Sequence, residues 1–223
     1  MADIFELFKQ ISQKKDSEAA VPEYIIAGLG NPDEKYTFTR HNAGFLAMDY
    51  ISQKLGVSLK QLKFKALVCR ASIGGHSVLL MKPQTYMNLS GEAVKAAADF
   101  YKLGADRIIV ISDDVHQAPG RMRIRKSGSS GGQKGLGDII EKFGTEDFIR
   151  IRIGVGEKPS PEYDMPSWVL GKIPKEDHDK MFRIFGCVYD ALPMILDGKT
   201  DDAMGRFNGV SFTGEEAKEN NEL

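Results

Sequence analysis

The chain has 223 residues, of which 27% are charged and 42% are hydrophobic. This length and balance suit one globular domain with a substantial core, and they exclude a collagen-like chain, a disordered chain and a disulfide miniprotein. Because 30 basic and 31 acidic residues give a formal net charge of -1, an anionic partner must bind to a local basic patch.

Two features of the sequence predict a cytoplasmic protein. Cys69 and Cys187 are far apart and form no CxxC pair, and no signal-peptide pattern is present, which indicates a reducing compartment. No apolar run approaches the roughly 18 residues of a membrane span. We therefore expect no contact with a membrane.

The chain begins with an extension that we place at 1–22, where the first apolar residues repeat at helical spacing. The first predicted strand covers 24–27 and stops at GLGNP, residues 28–32. Further strands are predicted at 78–81, 108–111 and 149–155, and helices at about 42–55, 90–102 and 135–143. This alternation predicts a single α/β domain, 23–209, with a mostly parallel central sheet flanked by helices.

A last helix is expected to begin near Lys175, because Pro174 suits the start of a helix and apolar residues then repeat at helical spacing. The acidic stretch 210–223 has little to bury, and we expect a disordered tail.

Several common cofactor motifs are missing. A G-x-G-x-x-G dinucleotide motif would need its third glycine at Asp33, and Pro32 interrupts the turn where a helix should open. No P-loop is present, and the four histidines share no metal-ligand spacing. We therefore expect neither a cofactor nor a metal, and a nicotinamide-dependent oxidoreductase is disfavoured.

Polar residues follow the predicted strands, where an open α/β sheet places its crevice. Asn31 follows the first strand, His41 precedes the first long helix, Asn88 precedes the second, and Asp113 ends the third strand. Each has a simpler interpretation: a turn former, a surface imidazole, a helix-terminal residue or a cap. Together they supply a general base, its orienting carboxylate and two amide donors for a developing oxyanion.

A second group of residues is basic. Between Gly120 and Lys134 there are five basic residues and no acidic one, and the three arginines have period two. Such a strand could be a solvated edge strand, but it leads into the glycine-rich residues 127–132 and a helix start, which favours a phosphate site. Arg150 and Arg152 alternate with isoleucines and predict a second basic strand. Two such strands would suit a nucleic acid backbone.

These motifs resemble those of the bacterial-type peptidyl-tRNA hydrolase family over about 24–208. The resemblance is carried by GLGNP at 28–32, TRHNAG at 39–44, KPQTYMNLSG at 82–91, the aspartates at 113–114 and the glycine-rich loop. It implies a monomeric enzyme with a twisted mixed sheet that cleaves the ester joining a nascent peptide to the 3′ ribose of tRNA, with neither metal nor cofactor. The implied partner is tRNA carrying a peptidyl group.

The resemblance also implies residue roles. His41 would activate water, and Asp113 would orient and polarise His41. Asn31 and Asn88 would hold the peptide and the oxyanion. The implied substrate-binding residues are Tyr36, Tyr86, Met87 and Asn88 around the substrate terminus, Arg125 and Arg152 at the tRNA 5′-phosphate, and Lys134.

The chain departs from the family pattern in three places. The usual Gly-Gly-His-Asn-Gly reads GGQKG at 131–135, so Lys134 replaces a substrate-binding Asn; Asp33 replaces a Gly and Ser112 a His. A lysine donates hydrogen bonds but lacks the amide acceptor. The alternative function is a noncatalytic RNA-binding relative, which the joint presence of four residues disfavours: Asn31, His41, Asn88 and Asp113.

Overall fold

The computed structural model of the protein describes residues 20–212. One seven-stranded sheet forms its centre, in the order β2-β3-β4-β1-β5-β7-β6. The strands are β1 (Tyr24–Gly28), β2 (Gln61–Lys63), β3 (Ala66–Ile73), β4 (His76–Pro83), β5 (Ile108–Asp114), β6 (Met122–Arg125) and β7 (Ile149–Gly154). Most of the predicted amino-terminal extension, 1–19, and most of the predicted tail, 213–223, lie outside the described residues.

The four central strands are parallel and the edges are antiparallel. β1 pairs with β4 and β5, and β5 with β7, all in parallel. β2, β3 and β6 pair antiparallel with their neighbours. The central strands read as continuous apolar runs because helices cover both faces of a parallel sheet. The predicted α/β fold with a mixed, mostly parallel sheet is confirmed.

The helices are α1 (Ala43–Leu55), α2 (Ser90–Tyr101), α3 (Lys134–Phe143), α4 (Met165–Val169), α5 (His178–Leu196) and α6 (Thr200–Phe207). α1, α5 and α6 pack on one face of the sheet, against Ile26, Leu80 and Ile109. α2 and α3 pack on the other face, against Ile25 and Val110. The last long helix follows a short 3-10 turn at Lys175–Asp177, close to its predicted start. None of the helices within 20–212 is long and apolar enough to cross a membrane.

The hairpin of β2 and β3 was not predicted. β2 has three residues, and Leu62 at its centre is 70% exposed. In β3 only Ala66, Val68 and Ile73 are buried, and the polar residues Arg70 and Ser72 interrupt its apolar residues. Residues 210–212, at the start of the predicted tail, lie beside β6: Ser211 bridges Arg121, and Phe212 N–H donates to the Gly120 carbonyl (3.0 Å).

A close backbone contact brings the start of α1 to the strand ends. A Cβ atom on Gly44 would lie 2.4 Å from the Ile111 carbonyl oxygen and 2.5 Å from Leu29 N. Only glycine fits there, because real Cβ atoms do not approach so closely. The contact sets the 3-10 turn Arg40–Asn42, which precedes α1, beside the carboxyl ends of β1 and β5.

Candidate active site

A cavity of about 430 Å³ opens at the carboxyl ends of β1, β4 and β5. These parallel strands end at one edge of the sheet, where α/β proteins commonly bind ligands. The lining residues are Asn31, His41, Tyr86, Met87, Asn88, Asp113, Asp114, Val115, His116, Gly131, Gly132, Gln133, Lys134, Arg152, Met165, Pro166, Val169 and Leu170.

His41 and Asp113 form a buried pair at this cavity. His41 Nδ1 lies 2.9 Å from Asp113 Oδ2, and the two residues are 9% and 2% exposed. A ring nitrogen facing a carboxylate carries the proton, which leaves Nε2 with its lone pair. No residue within 20–212 forms a hydrogen bond with Nε2. The geometry is that of a histidine base held by an acid, and the two residues are 72 positions apart in sequence.

Asn31 is fixed on both sides. Its backbone exchanges two hydrogen bonds with the Asn42 side chain, at 2.8 and 3.0 Å. Its side-chain Oδ1 accepts from Met87 N–H at 2.9 Å. Since Oδ1 is engaged, Nδ2 is the donor that Asn31 can offer to a ligand in the cavity.

The segment that carries Asn88 is strained. Tyr86 has a φ of 59°, a left-handed value rare for a bulky residue. Its hydroxyl donates to Asp33 Oδ2 at 3.0 Å, and this hydrogen bond raises the pKa of Tyr86. Met87 is buried, whereas Asn88 is exposed and lines the cavity. Such strain persists where the surrounding structure enforces it, often at functional sites.

Gln133 completes the polar cluster, and its sequence position alone predicted no role for it. It is 7% exposed, and its Nε2 donates to Asp113 Oδ1 at 3.1 Å. Its Oε1 accepts from Leu136 N–H at 2.7 Å and so caps α3. Two sequence signals could have found it: its place two positions before the predicted helix, near where a capping side chain is expected, and its replacement of the His in the Gly-Gly-His-Asn-Gly pattern.

The predicted second basic strand, β7, is adjacent to the first, β6. Arg123 lies opposite Arg152 and Arg125 opposite Arg150, so all four side chains share one face of the sheet. Arg123 and Arg125 are exposed. Arg125 does not belong to the cavity lining, and neither does Tyr36.

The two arginines of β7 differ in what holds them. Arg150 is 1% exposed, and its guanidinium donates to the carbonyls of Gly128, Glu146 and Phe148. Burial lowers its pKa. Arg150 therefore stabilises the fold beside the glycine-rich loop, because its donors are bound to that loop and its neighbours.

Arg152 faces the cavity. Its Nε lies 3.1 Å from Asp114 Oδ2 in an ion pair. A Cβ atom on Gly131 would lie within 2.9 Å of Nη1 and Nη2, so the end of the guanidinium lies against the glycine-rich loop. Asp114 also accepts from His116 N–H and from Gln117 Nε2, at 2.9 and 2.7 Å.

The remaining wall of the cavity is apolar and comes from α4 and the residue after it. Trp168 anchors this wall: its Nε1 donates to the Gly156 carbonyl at 2.9 Å, and the Arg40 guanidinium stacks 3.6 Å from its ring centroid. Arg40 directly precedes His41, so this stack joins the apolar wall to the segment carrying the candidate base.

Two other kinds of site have no support among residues 20–212. The glycine-rich loop fits the G-x-S-x-G pattern at 128–132, yet Ser130 forms no hydrogen bond with a histidine of the described chain, and its Oγ accepts from Gly132 N–H at 3.3 Å. Within the same residues no group of three or more His, Cys, Asp or Glu side chains is placed to hold a metal ion.

Comparison with known proteins places the chain in a family. The family model described as "Peptidyl-tRNA hydrolase" matches residues 25–218. The chain belongs to the peptidyl-tRNA hydrolase family. A peptidyl-tRNA hydrolase of Agathobacter rectalis is 49% identical over 186 residues, 83% of this chain and 100% of the relative. One from Caldicellulosiruptor bescii is 46% identical over 84% of this chain and 97% of the relative.

Solved structures agree with the assignment to the peptidyl-tRNA hydrolase family. A crystal structure of peptidyl-tRNA hydrolase from Acinetobacter baumannii aligns with a TM-score of 0.79 and 35% identity, covering 84% of this chain and 95% of that one. The resemblance read from the motifs is confirmed. Eight of the ten predicted site residues line one cavity; Tyr36 and Arg125 lie outside its lining.

Proposed function

We propose that this protein hydrolyses the ester between a peptide and the 3′-terminal ribose of tRNA, and so recycles peptidyl-tRNA released from stalled ribosomes. The observation that carries the proposal is the buried His41–Asp113 pair with a free Nε2 in the cavity at the carboxyl ends of β1, β4 and β5. Membership of the peptidyl-tRNA hydrolase family supports the substrate.

The reaction uses one water molecule. His41 Nε2 takes a proton from the water as its oxygen attacks the ester carbonyl carbon, and Asp113 stabilises the imidazolium that forms. Amide hydrogens of Asn31 and Asn88 steady the tetrahedral oxyanion. When the intermediate collapses, the bond to the ribose oxygen breaks, and that oxygen receives the proton from His41. The products are a peptide with a free carboxylate and a tRNA with a free 3′ hydroxyl.

The reaction needs no catalytic groups beyond these residues and the water molecule. An ester has a better leaving group than an amide, so a positioned water and a neutral histidine supply the nucleophile without a covalent intermediate. We propose that no metal or other cofactor takes part, and that the protein acts as a cytoplasmic monomer with 23–209 as its catalytic domain.

The tRNA lies along the basic face in this proposal. Arg152 binds the 5′-phosphate from inside the cavity rim, and Arg125 contacts the backbone further out, since it is exposed on the same sheet face. Lys134 begins α3 at the cavity, where its ammonium and the helix amino terminus both favour an anion. Met87 and Tyr86 contact the substrate terminus, with Tyr36 outside them.

The test is release of N-acetyl-amino acid from N-acetyl-aminoacyl-tRNA by the purified full chain and by His41→Ala, each with and without a metal chelator. We expect turnover that resists the chelator and falls at least about a thousandfold in the variant. Circular dichroism of both proteins controls for folding. Wild-type protein that binds tRNA without turnover would contradict the proposal and favour a noncatalytic RNA-binding protein; loss with chelator would contradict its metal-free form.

A further inference from the structure

The side chain of Gln133 connects the proposed catalytic pair to the substrate-facing loop. It is 7% exposed, and it spans from the first turn of α3 to Asp113 at the end of β5. Residues 131 and 132, directly before it, line the cavity. Gln133 therefore joins the glycine-rich loop to Asp113, so a movement of that loop would also move the group that contacts Asp113.

The hydrogen bonds fix which way the amide points. Leu136 N–H can only donate, so the oxygen of the Gln133 amide must face it, at 2.7 Å. The amide nitrogen must then face Asp113 Oδ1, at 3.1 Å, and donate to it. The orientation of a glutamine amide is often ambiguous, but here the helix cap decides it.

Asp113 consequently has one partner on each oxygen. His41 Nδ1 contacts Oδ2 and Gln133 Nε2 contacts Oδ1. Rotation of the carboxylate would break both contacts, so Gln133 limits the orientations open to Asp113. A second donor at a buried carboxylate also removes the cost of an unpaired oxygen.

We propose that Gln133 is a positioning residue for hydrolysis, acting through Asp113 on His41. This inference rests on the proposed function. Gln133 holds the Asp113 carboxylate in the plane that keeps His41 Nδ1 protonated and Nε2 turned to the water. Because an amide has no titrating proton in the physiological range, the donor to Asp113 is present at every pH at which the enzyme works.

Two variants separate this role from a structural one. Gln133→Glu keeps an oxygen to cap α3 but replaces the donor by an anion that repels Asp113. Gln133→Ser keeps a good capping residue but does not reach Asp113. We expect kcat to fall roughly ten- to hundredfold in both, with KM within about threefold of wild type. A residue that only stabilised the loop would mainly raise KM and lower the melting temperature.

Gln117→Glu is the matched control. Gln117 is 9% exposed and donates its amide to Asp114, the neighbour of Asp113, at 2.7 Å. Asp114 pairs with Arg152 and does not contact His41, so this variant should change KM and keep kcat within about twofold. An equal loss of kcat in Gln117→Glu would overturn the assignment to Gln133.

A second measurement needs no turnover. The proton on His41 Nδ1, bonded to a carboxylate, should give a low-field NMR resonance that His41→Ala removes. We expect Gln133→Ser to shift or broaden it, and Gln117→Glu to leave it in place. Unchanged kcat and an unchanged resonance in both Gln133 variants would overturn this inference alone. Wild-type protein without turnover would overturn the proposed function, while the resonance would still test the positioning.

Discussion

Two histidines of this protein lie beside carboxylates, and they differ in how many ring nitrogens are engaged. His41 is buried, with Nδ1 on Asp113 and Nε2 free toward the cavity. His76 lies near the surface, with Nδ1 3.1 Å from Glu23 and Nε2 3.2 Å from Asp197. When the ring is protonated, both nitrogens of His76 donate and the imidazolium links two chain segments, and these contacts raise its pKa. A carboxylate beside a histidine indicates a base only where the other nitrogen is free.

The largest expected effect comes from exchanging the carboxylates for amides. In Asp113→Asn, the donor from Gln133 faces the amide oxygen, so the new NH2 group faces His41 Nδ1 and forces the ring proton onto Nε2. A histidine in that tautomer cannot take a proton from water, and we expect kcat to fall about a thousandfold. Steady-state hydrolysis of N-acetyl-aminoacyl-tRNA measures it.

Asp197→Asn is the control for that experiment. It removes the negative charge of one partner of His76, far from the cavity, and activity should stay within about twofold of wild type. A comparable loss of kcat in the two variants would mean that a free ring nitrogen does not distinguish the proposed base, His41, from the structural histidine, His76.

Local sequence patterns predicted the central strands and the edge of the sheet at which the candidate site lies. Apolar runs marked the central strands, and polar residues after them marked the edge that carries the candidate site, because strand ends of a parallel sheet meet there. The same reasoning paired His41 with Asp113, although the two are 72 positions apart. Contacts outside the strand ends were not predicted: Arg40 and Trp168 are 128 positions apart. The role of Gln133 depends on Asp113, which approaches it only in the folded chain.

The sequence pattern also could not distinguish Arg150 from Arg152, because both alternate with isoleucines in one strand while their surroundings in the fold differ. Arg150 is held by three backbone carbonyls, whereas Arg152 is held at Nε by Asp114 alone. Within 20–212, the contact of Arg152 Nε with Asp114 is an ion pair without a hydrogen bond, and Nη1 and Nη2 form neither an ion pair nor a hydrogen bond. These two nitrogens are the donors that a phosphate could receive.

A medium-sized effect is therefore expected at Arg152. Arg152→Ala should raise KM for tRNA-linked substrate roughly tenfold and flatten its salt dependence, with kcat little changed. Arg150→Met should instead lower the melting temperature, since it leaves three carbonyls without their donor. Kinetics at several salt concentrations and thermal melts of both variants test the difference. A lower melting temperature in Arg152→Ala with an unchanged KM would mean that Arg152, like Arg150, stabilises the fold and does not bind the phosphate.

The smallest expected effect is the pH dependence of stability at His76. Hydrogen bonds to Glu23 and Asp197 raise its pKa above the ordinary 6.5. Below about 6.5 the ring is protonated in the folded and unfolded states, and the tie contributes fully; as pH rises through the raised folded pKa, that contribution is lost. The same contacts lower the pKa values of Glu23 and Asp197 below 4.5 and 3.8. The contribution of these two carboxylates to stability is therefore lost only at still lower pH, where they become protonated.

Thermal melts of wild type and His76→Gln at about pH 5.5 and about pH 8.5 should show this. The wild type should be the more stable protein at the lower pH, and the two should converge at the higher pH. Added salt should reduce the difference, because these side chains are partly exposed and water screens their charges. A gap that is unchanged from acid to alkaline pH would mean that His76 stabilises the fold by packing against Tyr24, whose ring lies 5.9 Å away, and not by its charge.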